Sequence, residues 1–353
     1  MAQEPSDEVL IRREGRAGRI TTNRPQALNA LTLAMTIRIR EALAAWQGDP
    51  AVALVLLDGA GGRALCAGGD VRALYDSRGQ GSGLARAFWS AEYPLNALIG
   101  RYPKPFVAIQ DGIVMGGGIG LSGHARHRIV TERSRLAMPE TGIGLIPDVG
   151  GTWLLAHAPG ETGVYLGLTG EAMGAADAIH ARFSDVLVPS SRLPELADRL
   201  VDAKGGTVPE VVRAFAEDAG PSPLAARQSE IDHVFSGDSV EAMLARLAAM
   251  PGEWTQKTKA SLAQKSPKSM KLTLAAIRNA RRLPSLEAAL DVEYRLTVRL
   301  FEDGEFPEGV RALLVDKDRA PKWSPPRLED VMPELVAAYL APLPEGEELG
   351  LGT

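Results

Sequence analysis

Two carboxylates, Glu140 and Asp148, stand eight residues apart in the stretch MPETGIGLIPDVGG (138–151), among apolar and glycine neighbours. Acidic side chains ordinarily face water. Two carboxylates held together in an apolar pocket have their ionisations pushed apart. One can then serve as base or nucleophile while the other orients water or moves a proton. The residues leave two readings of Glu140 open: a catalytic carboxylate, or an acid on a surface turn that caps through Thr141. Taken alone, they favour the second.

Three glycine clusters accompany the pair: CAGGD (66–70), MGGGIGLSG (115–123) and Gly150-Gly151. Glycine leaves backbone N–H groups open, and such groups at turns can hold an oxyanion or a phosphate. Each cluster by itself is more often a tight turn. Asp70 is placed to cap a helix beginning at Val71. Gly118, Gly120 and Gly123 satisfy G-x-G-x-x-G, with Glu140 seventeen residues beyond, as in a nicotinamide-dinucleotide site. The expected strand ends at Asp111-Gly112, however, with Ile113–Met115 still to pass, so the context is poor. His124 and His127 have no further ligand at metal spacing. The single Cys66 excludes an internal disulfide and a cysteine-rich metal site. It reads as a small buried hydrophobe. No serine sits in a G-x-S-x-G elbow, which leaves a serine hydrolase without support.

The elements that must position these groups alternate over the first two hundred residues. Val9–Arg12, Gly18–Thr22, Val52–Leu57 and Phe106–Gln110 read as strands. Leu33–Trp46, capped by Asn29 or Thr32, and Leu84–Ile99 read as amphipathic helices. This alternation predicts an α/β architecture. From about Leu193 long helical stretches follow, such as Leu193–Ala203 and Val240–Ala249, separated by Gly205-Gly206, Pro221 and Pro251-Gly252. The expected division is a core over 1–200 and a mainly helical region over 201–353. The acidic, Gly-rich end from Pro344 is expected to fray.

The chain has 353 residues, 45% of them hydrophobic and 24% charged, the balance of a globular protein with a sizeable core. A net charge of −5 offers no general attraction to nucleic acid or to an anionic membrane, although a local basic patch could still serve a phosphorylated ligand. The N-terminal MAQEPSDEVLIRREG has no apolar core of a secretory signal. No apolar run reaches membrane-span length. A cytoplasmic location is the expectation.

These segments resemble, in order, those of the crotonase, or enoyl-CoA hydratase/isomerase, superfamily. RPQALNAL (24–31) looks like its CoA-adenine loop, CAGGD and MGGG like its two oxyanion strands, and MPETGIGLIPDVGG like its catalytic stretch. A narrower resemblance is to the 3-hydroxyisobutyryl-CoA hydrolases, which serve valine catabolism. It rests on EYPLN (92–96), YPKPFVAIQDGIVMGGGIGLS (102–122), KSPKSMKLTL (265–274) and EGVRALLVDKDRAPKW (308–323). Where hydratases carry their first glutamate this chain has Gly120. Where they usually have glycine it has Asp148.

The resemblance implies a crotonase-like (ClpP/crotonase) spiral of ββα units with a C-terminal helical region. It implies hydrolysis of a 3-hydroxyacyl-CoA thioester, with Glu140 and Asp148 catalytic and the N–H groups of Gly69 and Gly117 forming the oxyanion hole. By the same resemblance Glu92 binds the 3-hydroxyl, while Ala27, Leu28, Ala67, Gly68 and Asp70 line the path of the CoA. Arg24 is a candidate for its phosphates. No metal or separate cofactor is implied, since coenzyme A arrives within the substrate. Family relatives assemble as trimers or paired trimers. The alternatives are an enoyl-CoA hydratase or isomerase of the same fold and a non-catalytic RNA-binding relative. The latter is disfavoured by only 5% aromatic residues and the acidic balance.

Overall fold

The computed structural model describes residues 8–352, so the first seven residues of the polar N-terminal segment read for a signal lie outside the described residues. The described residues form two compact units interleaved along the sequence: residues 8–69, 91–137 and 173–223 in the first, and 70–90, 138–172 and 224–352 in the second.

Every strand among the described residues belongs to the first unit: β1 (Val9–Glu14), β2 (Ala17–Thr22), β3 (Leu54–Gly59), β4 (Ala64–Cys66), β5 (Phe106–Gln110), β6 (Ile113–Met115), β7 (His127–Val130), β8 (Arg135–Ala137) and β9 (Val186–Leu187). A six-stranded sheet runs β1-β2-β3-β5-β7-β9, antiparallel between β1 and β2 and parallel elsewhere. β4, β6 and β8 form a second, parallel sheet. The chain thus repeats one step three times, a strand in the large sheet followed by a short strand in the small one. The central strands LVLLDG and FVAIQ are continuous apolar runs, as a sheet covered on both faces requires. Leu54, Leu56, Val107, Ile109 and Ile129 pack with Leu196, Leu200, Val212 and Phe215 from the helices Leu193–Val201 and Val208–Phe215. Each such large side chain contributes about 1.5–3 kcal/mol by leaving water.

The second unit is helical, and helix Pro267–Ala280 packs against Gly151–Ala156 and Thr162–Thr169 within it. Its end is not frayed. Leu351 and Gly352 donate their N–H groups to Asp291 at 2.9 and 2.8 Å, and Arg295 pairs with Glu348 at 2.9 Å. Acidity and glycine content suggest a loose tail, but here the acids are anchoring groups. No helix among the described residues is long and apolar enough to cross a membrane.

Candidate active site

In the first unit the register of the small sheet sets two glycine turns side by side. Cys66 at the end of β4 pairs with Val114, and Met115 ends β6, so CAGG and MGGG leave the carboxyl ends of adjacent parallel strands. Leu31 bridges to Gly69 in parallel by donating its N–H to the carbonyl of Gly68 at 2.8 Å. In such a bridge Gly69's own N–H points away from Leu31. Gly116 turns the chain at φ 48°, and Gly117 begins helix Gly117–Ser122. A Cβ on Gly117 would lie 3.3 Å from the N of Gly69 and 2.7 Å from Oε1 of Glu92. Glycine at 117 is therefore a requirement of close approach. Glu92, far from being an exposed helix acid, is 2% exposed and directed at this turn. Asn96, one helical turn later, is fully buried with neither amide atom hydrogen-bonded among the described residues.

The adenine-loop segment RPQALNAL is built around Asn29. Its side chain donates to the carbonyls of Ala60 (3.0 Å) and Ala64 (2.7 Å) and accepts from the N–H of Arg24. Thr32, not Asn29, caps the following helix. Leu28 and Asn29 both adopt positive φ, and Leu28 accepts from the N–H of Ala67 at 3.0 Å. Ala27, Leu28, Ala67 and Gly68 thereby form one continuous edge. Arg24 does not project as a phosphate ligand: it donates to the carbonyl of Ala30 at 2.7 Å and pairs with Glu8 at 3.2 Å. Cys66 is buried, and burial together with the Glu92 charge pushes its thiol up to about 12.

The dinucleotide pattern fails for a reason other than the one expected. β6 does stand directly before the glycine helix, but Gly118 faces the carbonyl of Cys66, which a Cβ would reach at 2.1 Å. That glycine accommodates its own sheet, not a pyrophosphate. Among the described residues no group of three or more His, Cys, Asp or Glu is arranged to hold a metal ion.

In the second unit Glu140 opens the turn Glu140–Ile143 and is 5% exposed, as is Asp148. The surface-acid reading of Glu140 is therefore excluded. Its Oε2 has no hydrogen-bond partner among the described residues. Burial raises its pKa well above the usual carboxylate range. The charges of Asp148 and, less strongly, Glu293 add to the rise, and Lys265 opposes it. Lys265 Nζ lies 3.6 Å from where a Cβ on Gly142 would sit, which places the cation against the Glu140 turn. Asp70, half-buried, accepts from the N–H of Ala73 at 3.2 Å and caps helix Val71–Ser77 as expected.

Sequence reasoning missed the groups that hold this turn. Ser266 donates its N–H to the carbonyl of Thr141 at 3.0 Å and its hydroxyl to Glu305 at 2.5 Å. The late EGVRALLVDKDRAPKW segment packs on the same turn. A Cβ on Gly309 would strike the carbonyl of Ile143 at 2.2 Å, and one on Gly144 would strike that of Glu305 at 2.3 Å. Arg311 secures the segment by pairing with Glu308, Asp316 and Asp318. The third glycine cluster binds no ligand through Gly150, because that N–H is taken by Glu293 at 2.7 Å.

Residues 17–340 match the family model described as enoyl-CoA hydratase/isomerase. The mitochondrial 3-hydroxyisobutyryl-CoA hydrolase of Xenopus tropicalis is 40% identical over 95% of this chain and 89% of its own length. The Homo sapiens protein of that name is 36% identical over 94% and 88%. A carnitinyl-CoA dehydratase structure from Mycobacterium thermoresistibile superposes with a TM-score of 0.92 at 45% identity, covering 98% of this chain and 99% of that one. An enoyl-CoA hydratase from Rhodobacter sphaeroides gives 0.91 at 45% identity, covering 97% and 99%.

Proposed function

This chain belongs to the enoyl-CoA hydratase/isomerase family, and from that premise we propose that it hydrolyses a 3-hydroxyacyl-CoA thioester, 3-hydroxyisobutyryl-CoA foremost. Its fold is the crotonase-like one. The observation that carries the reading is a buried Glu140 with an unpartnered oxygen, next to the charge of Asp148. In the proposed reaction a Glu140 oxygen, or a water it deprotonates, bonds to the thioester carbon. The carbonyl oxygen takes the negative charge and is met by the N–H groups of Gly69 and Gly117. Collapse of the adduct breaks the C–S bond, and CoA leaves as a thiolate that takes up a proton. Where Glu140 itself attacks, water then adds to the resulting anhydride, releasing the 3-hydroxy acid and restoring the Glu140 carboxylate. Asp148 orients water and passes protons. Glu92 accepts a hydrogen bond from the 3-hydroxyl, and the backbone of Ala27, Leu28, Ala67, Gly68 and Asp70 lines the CoA. Hydrolysis exchanges no electrons, so the route calls on no cofactor beyond the CoA of the substrate. Assembly as trimers or paired trimers and a cytoplasmic location belong to the same proposal; the named vertebrate relatives are mitochondrial.

A second reading, hydration of an enoyl-CoA, is favoured by the names of the two structures at 45% identity. Against it, Gly120 supplies no carboxylate where concerted water addition needs its first glutamate. Thiol release across a panel of acyl-CoAs decides between them. Purified protein should free CoA from 3-hydroxyisobutyryl-CoA without added nicotinamide. Hydration of crotonyl-CoA at a comparable rate would overturn the hydrolase reading.

A further inference from the structure

Glu293 is a carboxylate that the proposed reaction does not use, yet it is fully buried in helix Leu286–Glu302. It accepts the N–H of Gly150 at 2.7 Å, the N–H of Thr152 at 2.9 Å and the Thr152 hydroxyl. The first of these donors stands two residues after Asp148. Val149, between them, holds φ 54° and Gly150 φ 78°, a left-handed pair in which a β-branched residue is strained. The N–H groups of Gly150 and Thr152, turned toward one carboxylate in this way, make a small anion-binding concavity, while the N–H of Gly151 between them returns to the carbonyl of Asp148 at 2.6 Å. Its anion here comes from another helix of the same unit. A neutral amide could not replace it, since glutamine has one acceptor oxygen and would aim an N–H at a second donor.

We propose that Glu293 is a positioning residue that locks the Val149–Thr152 turn and so holds Asp148 beside Glu140. The inference rests on the reading of Glu140 and Asp148 as the catalytic pair. Glu293→Gln should lower kcat for 3-hydroxyisobutyryl-CoA by about ten- to a hundredfold while KM stays within about threefold. Thr152→Val should act in the same direction and less strongly. In an Asp148→Asn background, adding Glu293→Gln should cost less than about threefold, because the group it positions is gone. Without substrate, amide exchange at Gly150 and Thr152 should quicken by about tenfold or more in Glu293→Gln. Losses that multiply in the double variant, or unchanged exchange in a folded Glu293→Gln, would overturn the proposal. Should Glu293→Gln not fold, Thr152→Val carries both the cycle and the exchange measurement. Failure of the catalytic reading shows separately, as wild-type protein that leaves the thioester intact or an Asp148→Asn variant with full activity.

Discussion

In the first unit the candidate oxyanion donors are main-chain N–H groups at the ends of parallel strands, with the Glu92 carboxylate beside them; in the second the candidate groups are carboxylates on turns and a helix. The N–H pair of Gly69 and Gly117 is set by β4–β6 register and by the absence of a side chain at 117. Such dipoles are preorganised and do not titrate, so they present the same face at every pH. Glu140, Asp148 and Glu293 are the opposite case. Their properties depend on burial and on each other's charge. Burial first, and the Asp148 charge after it, push the pKa of Glu293 upward. The donors of Gly150 and Thr152, which occupy both of its oxygens, oppose the rise and favour the carboxylate. One region is rigid by geometry, the other tunable by electrostatics. Their responses to substitution should differ accordingly.

The largest effect is expected from Glu140→Gln, which keeps size and removes the charge a nucleophile or base needs. The loss in kcat should be on the order of 10³-fold or more, with CoA-ester binding nearly intact. Retention of more than about a tenth of wild-type kcat, a loss under about 1.4 kcal/mol, would remove Glu140 from the centre of the chemistry.

Gly117→Ala breaks the other region. Its Cβ would press on Glu92 Oε1 at 2.7 Å and Gly69 N at 3.3 Å, displacing the proposed oxyanion donors. A loss of about 10²–10³ in kcat is expected. The acid limb of the pH profile should not move, because the proposed reaction assigns that limb to Glu140. A shifted limb would mean the two regions are not separable as described.

The smallest effect is a shift rather than a loss. In the proposed reaction Glu140 works as the carboxylate, so activity should fall as pH drops through its pKa. Burial first, and the Asp148 charge second, hold that pKa high. Asp148→Asn removes the second cause and should move the acid limb of kcat/KM to lower pH, whatever it does to the plateau. Comparing the profiles of the two proteins tests this, and an upward or absent shift would refute the coupling.

Much of this architecture is legible in the amino-acid sequence. FVAIQ and VEAMLARLAA occupy the expected strand and helix, and Asp70 caps where its position ahead of Val71 predicts. Other groups leave weaker traces. Glu293 stands on a stripe with Ala289, Leu290, Leu296 and Thr297, all fully buried, and an acid amid such a stripe is a signal that helical periodicity can raise. The strand Ile113–Met115 is hard to read because three residues carry too little periodicity to register. Ser266, Glu305 and Gly309 have no local mark at all. Their partners lie on the Glu140–Gly144 turn, well over a hundred residues earlier.

The sequence by itself determined what each short segment could become: apolar runs for covered strands, glycines where backbone must pass close, two acids where water is scarce. These follow from interactions within a few residues. Only the tertiary structure decided which groups are free to act. Of the open backbone turns, Gly117 meets a carboxylate side chain, Gly118 a carbonyl and Gly150 the carboxylate of Glu293. Arg24 is consumed by Ala30 and Glu8 while one oxygen of Glu140 has no hydrogen-bond partner among the described residues. Burial and hydrogen bonding are properties of the closed chain, and a residue's chemistry is what remains after its neighbours have taken their share.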